Sequence, residues 1–108
     1  MSAVQATEQS FHELVKQEDQ PVLVDFWAPW CGPCRAMSSV VDELAEEVAG
    51  QATVVKANVD EFPKEAAEYN VQSIPAFFVF KGGEIKERIS GAVSKQKLRE
   101  ALEPYLTS

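Results

Sequence analysis

The sequence predicts an α/β fold in which a central mixed β-sheet is flanked by helices on both faces, and three observations carry that reading. Up to Asn70, apolar runs of strand length alternate with amphipathic stretches of helical period, which calls for parallel strands joined by helical crossovers. Two strand-like segments around Lys81, Gly82 and Gly83 then read as a hairpin, which adds antiparallel strands. The closing stretch is helical again in its spacing of apolar residues.

In chain order, a short strand is expected at Ala3 to Ala6, after which Thr7 can cap a helix with Phe11, Leu14 and Val15 at helical spacing. Pro21 to Trp27, "PVLVDFW", is nearly unbroken in apolar, β-branched and aromatic residues, as in a central strand covered on both faces. Cys34, Met37, Val40, Val41, Leu44, Ala45 and Val48 follow at steps of three and four, with Gly50 just beyond. That spacing predicts a long amphipathic helix opened by Cys34, with Trp30 to Pro33 as the loop before it. Ala52 to Asp60 reads as a second buried strand, and Phe62 to Asn70 as a short helix started by Pro63. Ala76 to Phe80 and Glu84 to Ser90 flank a turn whose glycines permit positive φ. Ser94 can cap a last helix that buries Leu98, Ala101, Leu102, Tyr105 and Leu106.

A chain of 108 residues has the length of one domain, and no repeat, low-complexity tract or linker divides 1–108. The excess of 17 acidic over 10 basic side chains gives a net charge of -7, which opposes attraction to phosphate backbones and anionic lipid. Neither nucleic acid nor a membrane is expected as a partner, and the apolar runs are too short to span a bilayer. The opening "MSAVQATEQSFHELVKQEDQ" has no basic start followed by an apolar run, so it does not read as a secretory signal. The expected location is the cytoplasm, or an organelle if a presequence has been removed.

Both cysteines lie in "WAPWCGPCRAM", three positions apart. Cys31 falls at the N-terminus of the long helix, where free backbone N–H groups and the helix dipole favour a thiolate. Residues at i and i+3 share one face of a helical turn, so the two sulfurs can reach disulfide geometry. Gly32 allows close backbone approach, and Pro33 in the first turn forfeits no hydrogen bond while stiffening the bridge. A purely structural disulfide would close too short a loop to constrain the unfolded chain much. A zinc site would lack its third and fourth ligands, the one histidine, His12, reading as a solvated surface residue. Inert thiols would leave Gly32, Pro33 and the helix-end placement unexplained. A redox pair accounts for all of these features.

With "WCGPC" in view, the chain resembles the thioredoxin family from about Phe11 to Leu106. "VDFWA" places Asp25 and Trp27 where the family has a buried carboxylate and a packing tryptophan, and Lys56 stands where it keeps a lysine near that acid. On the residues alone, Asp25 is either a solvated strand-edge carboxylate or a buried one that must pair or protonate. The resemblance favours a buried proton carrier. "SIPAF" places Ile74 and Pro75 where the family has a cis peptide bond facing the sulfurs, and "SGAVS" supplies Gly91 and Ala92 beside the target groove. Ser39 stands where a proline usually bends the long helix, and Ala76 where a threonine often follows the cis proline.

The resemblance implies a thioredoxin fold and a disulfide reductase acting on other proteins, with roles in electron transport and cell redox homeostasis. Cys31 would attack the target disulfide and Cys34 would resolve the mixed disulfide. Asp25 would serve as proton carrier with Lys56 beside it. Trp30, Gly32, Pro33, Val59, Ile74, Pro75, Gly91 and Ala92 would bind the target, with Ile74 pairing its backbone. No bound cofactor or metal is expected. The Cys31–Cys34 disulfide would be recycled by a thioredoxin reductase drawing on NADPH or ferredoxin, and the chain would act as a monomer. Two other classes fit the same residues: a disulfide oxidase or isomerase, whose relatives commonly carry a histidine between the cysteines, and a redox-independent interaction module using the apolar rim.

Overall fold

A computed structural model describes residues 3–5, 8–16 and 19–106 of the chain. The first strand is short, β1 (Val4–Gln5), and the helix after it, α1 (Glu8–Val15), buries Phe11 and Val15. Ala6 and the expected cap Thr7 lie outside the described residues. The long apolar run is β2 (Val22–Trp27), buried from Val22 to Phe26. Beside it runs β3 (Thr53–Asn58), parallel and in a register that sets Asp25 opposite Lys56. On its other side lies β4 (Ala76–Lys81), antiparallel, followed by β5 (Glu84–Ser90) at the edge. The sheet order is therefore β1-β3-β2-β4-β5.

Burial of β2 on both faces explains its lack of alternation. One face, with Val22, Val24, Phe26, Val55 and Phe78, packs under α1 and under Phe62 and Tyr69, which flank a short helix, α3 (Pro63–Glu68). Leu23, Val54, Phe77 and Val79 on the other face meet the long helix α2 (Gly32–Glu47) and the last helix α4 (Lys95–Leu102). Asp25, Trp27 and Lys56 share the parity of that second face, which places an acid and a base beneath α2.

Several boundaries differ from the sequence expectation, by one or two residues at the ends of β3, α3 and β4 and more visibly in two helices. The long helix opens at Gly32, not Cys34, with Cys31 as its N-cap. Proline is accommodated in a first turn because its missing N–H has no intrahelical acceptor there, so Pro33 belongs to the helix rather than to the loop. At the other end of the chain, α4 stops at Leu102 and a 3-10 turn covers Glu103–Tyr105. Pro104 cannot donate the next helical hydrogen bond, although Tyr105 and Leu106 still pack on the core. In the hairpin Lys81 remains within β4, and the turn is Gly82-Gly83 with φ of 60° and 84°, both positive as a type I′ turn demands. Among the described residues no helix is long and apolar enough to cross a membrane.

Candidate active site

The carboxyl ends of β2 and β3, the head of α2 and the segment entering β4 converge at one end of the sheet. Cys31 and Cys34 meet there as a disulfide, with Cα atoms 5.3 Å apart. Cys31 is in extended conformation (φ -93°, ψ 109°), and its Sγ accepts a hydrogen bond from the Cys34 backbone N–H at 3.2 Å. Sulfur thus occupies the position where a capping oxygen normally sits. Exposure does not distinguish the two cysteines, at 6 % and 4 %. Their surroundings do. Cys31 Sγ lies 3.9 Å from the carbonyl oxygen of Ile74 at the outer groove, whereas Cys34 borders an inner cavity of about 120 Å³ shared with Asp25, Trp27, Ser38 and Lys56.

Asp25 is buried, 3 % exposed. Desolvation raises its pKa from 3.8 to about 7; the positive charge of Lys56 opposes that rise and the negative charge of Asp42 adds to it. Burial therefore outweighs the lysine's attraction. Asp25 Oδ1 and Trp27 Nε1 are buried without a protein partner among the described residues, and both residues border the cavity. Lys56 stands beside Asp25 in register, but its ammonium makes its contacts elsewhere. Its Nζ is 3.1 Å from Asp42 Oδ1 and donates to Ser38 Oγ at 3.0 Å. The expectation that Lys56 lies near the buried acid holds in position, while its ion pair is with Asp42.

Three of the residues expected to bind the target, Trp30, Val59 and Ile74, line one outer groove, and the others lie around it. The Ile74–Pro75 peptide bond is cis and Pro75 is buried. Trp30, Val59 and Ile74 line a groove of about 180 Å³ with Ala66, Val71, Gln72 and Ser73. Trp30 is 66 % exposed, and its indole Nε1 donates to Asp60 Oδ2 at 3.0 Å, which fixes the ring's direction. Gly32 and Pro33 lie exposed on the first turn of α2. Gly91 (φ 89°) donates its backbone N–H to the Pro75 carbonyl at 2.8 Å. That bond ties the exposed Ala92 segment to the cis proline.

Ser38, Asp42 and Asp60 were not singled out for the site from the sequence. For the first two a signal exists: Cys34, Ser38 and Asp42 are spaced i, i+4, i+8 and so form one stripe along α2. Asp60 carries no such signal, since its contact with Trp30 depends on how β3 ends. Among the described residues no cluster of His, Cys, Asp and Glu could hold a metal ion.

Comparison with known proteins agrees with this geometry. The family model described as Thioredoxin matches residues 2–104. Thioredoxin 1 of Nostoc sp. is 49 % identical over 105 residues, covering 97 % of this chain and 98 % of that protein. The M-type chloroplastic thioredoxin of Spinacia oleracea is 51 % identical over 98 residues, covering 91 % of this chain and 54 % of that one. Among solved structures, a point-mutant thioredoxin from Halobacterium salinarum NRC-1 superposes with a TM-score of 0.88 at 31 % identity, covering 99 % of this chain and 93 % of that chain. A fold, a cysteine pair and a sequence that agree over nearly the whole length leave one assignment: the chain belongs to the thioredoxin family, and its Cys31–Cys34 disulfide is that of a thiol–disulfide oxidoreductase.

Proposed function

We propose that the chain is a protein disulfide reductase in which Cys31 attacks and Cys34 resolves. The observation that carries this reading is the asymmetry of the two sulfurs: Cys31 Sγ lies 3.9 Å from the carbonyl of Ile74, a residue of the outer groove, while Cys34 and not Cys31 borders the cavity that holds Asp25. In the reduced chain, the Cys34 N–H that caps Cys31 Sγ and the helix N-terminus both favour a Cys31 thiolate. That thiolate attacks one sulfur of the target disulfide, and the other target sulfur leaves as a thiolate and takes a proton from solvent. Cys34 then loses its thiol proton to the Asp25 carboxylate and attacks Cys31 Sγ. The mixed disulfide breaks, the second target thiolate departs, and the Cys31–Cys34 disulfide keeps the oxidising equivalents that the target lost.

A carboxyl with a pKa of about 7 is partly ionised at neutral pH, which suits it to accept a proton and return it. The cavity is polar enough, with Asp25 Oδ1 and Trp27 Nε1 on its wall, for a water molecule to bridge Asp25 and Cys34. The target backbone would lie extended against Ile74, with Trp30, Gly32, Pro33, Val59, Gly91 and Ala92 as its apolar surroundings. Main-chain recognition of this kind serves many targets. Reduction of the spent disulfide falls to a thioredoxin reductase supplied by NADPH or by ferredoxin, in the cytoplasm or in an organelle.

Insulin disulfides provide the test. The parent chain, with a reductase and NADPH, should reduce them catalytically. Cys34→Ser should stop at a mixed disulfide through Cys31, visible by mass after acid quench, and Cys31→Ser should form none. Mixed disulfides through Cys34 instead, or none in Cys34→Ser, would contradict the assigned roles.

A further inference from the structure

We propose that Ser38 and Asp42 are positioning residues which hold the Lys56 ammonium off the Asp25 carboxyl, so that Asp25 remains an exchangeable proton carrier rather than half of a contact ion pair. The proposal rests on the reading of Asp25 as the acceptor of the Cys34 proton. Its basis is geometric. Asp25 and Lys56 are register partners on adjacent parallel strands, and a lysine there has the reach to pair with the acid directly. Yet Asp25 Oδ1 has no protein partner among the described residues, while Lys56 Nζ is engaged by Ser38 Oγ at 3.0 Å and Asp42 Oδ1 at 3.1 Å. Both acceptors come from the α2 stripe that begins with Cys34. The helix carrying the resolving thiol therefore also carries the groups that draw the lysine aside.

Asp42 is itself held in place, since its Oδ1 accepts the Ala3 backbone N–H at 3.1 Å. Partial burial pushes its carboxyl up, but the Ala3 hydrogen bond and Lys56 together keep it below the usual range, so it is anionic at neutral pH. The groups around Asp25 make the lysine's position decisive. Lys56 faces it from β3, and Cys34, Arg35, Ser38 and Asp42 from α2. Arg35 Nη1 turns away to donate to the Pro29 carbonyl at 2.8 Å. Gln5 of β1 and Phe77, the register partner on β4, carry no charge. Released from its two acceptors, Lys56 is, among the described residues, the cation placed to close on Asp25, and a lysine-bound carboxylate is a weaker base.

The test is the titration of the Asp25 side-chain carboxyl, followed by carbon NMR in the full oxidised chain. Asp42→Ala should lower its midpoint by about one pH unit or more. In a Lys56→Met background the same substitution should move it by much less, because no lysine is left to release; equal shifts in the two backgrounds would mean that Asp42 acts by its own charge alone and would overturn the proposal. Ser38→Ala changes no charge and favours the helix, so it carries the test if Asp42→Ala does not fold. It too should lower the midpoint, and an unmoved midpoint would strike Ser38 from the clamp. The pH profile of mixed-disulfide resolution, measured on the same variants, should shift in step. A profile that stays put while the Asp25 midpoint moves as expected would leave the clamp standing and remove Asp25 from the proton transfer.

Discussion

Burial of Asp25 makes the stability of the chain depend on pH. A carboxyl whose pKa rises from 3.8 to about 7 on folding makes the folded state less stable by about 4 kcal/mol once ionised. Below about pH 4 both states are protonated and the penalty is absent. As pH rises the unfolded chain releases its proton first, so stability falls until the folded carboxyl ionises near pH 7, and levels off above that. Asp25→Asn should therefore be more stable than the parent at pH 7, by up to about 4 kcal/mol, with the gap closing toward pH 4. Denaturant midpoints across that range check it. A less stable variant at pH 7 would show that the carboxyl is not strained by burial. The same variant should resolve mixed disulfides more slowly, since it removes the group proposed to accept the Cys34 proton.

In α2 and α4 a side-chain cap marks where the helix starts, whereas Phe62 before α3 makes no capping hydrogen bond. α2 uses Cys31 Sγ as its cap, so the first turn of the helix and the reacting sulfur are one structure. α4 uses the ordinary device, Ser94 Oγ accepting from the Lys97 N–H at 3.1 Å. Two lysines in the first turn of α4, Lys95 and Lys97, oppose the helix dipole. Lys95 is turned toward α2 instead, where it pairs with Glu43 and Glu47. Ser94→Ala should lower stability by about 1 kcal/mol, measured by denaturant unfolding, while Ser94→Asp should restore it. No loss in Ser94→Ala would mean that packing of Leu98 and Leu102 alone sets the start of α4.

Across the molecule, the surface leads us to predict a free monomer. The long open edge of the sheet is β5, and it presents Lys86, Glu87 and Arg88 in succession, charges that discourage edge-to-edge pairing. The other edge strand has two residues. Among the described residues the large exposed hydrophobics are Val4 and Trp30, too scattered to form a dimer patch. Light scattering after size exclusion should give the 11.9 kDa mass of one chain. A dimer that survives dilution would point to Trp30 as its contact.

Much of this could be read along the chain because the relevant forces act over a few residues. The alternation of periods announced the strands and helices, glycines marked the hairpin turn, Ser94 marked a cap, and "WCGPC" announced the redox pair. Helix ends at Cys31 and Leu102 were missed by two to four residues, because proline tolerance in a first or last turn depends on local hydrogen bonding that periodicity does not report. The inner half of the site was less legible. Asp25 could have been solvated or buried, and what settles it is the cover of α2 over the second face of β2, a contact between segments that the chain order does not specify. Lys56 was placed beside Asp25 correctly, but its preference for Ser38 and Asp42 arises from the distance at which α2 crosses β3. Side-chain partners across packed elements depend on that crossing, where one residue's rotation along a helix exchanges one partner for another. Spacing within a segment can name the groups that share a face; the packing of faces selects which of them meet.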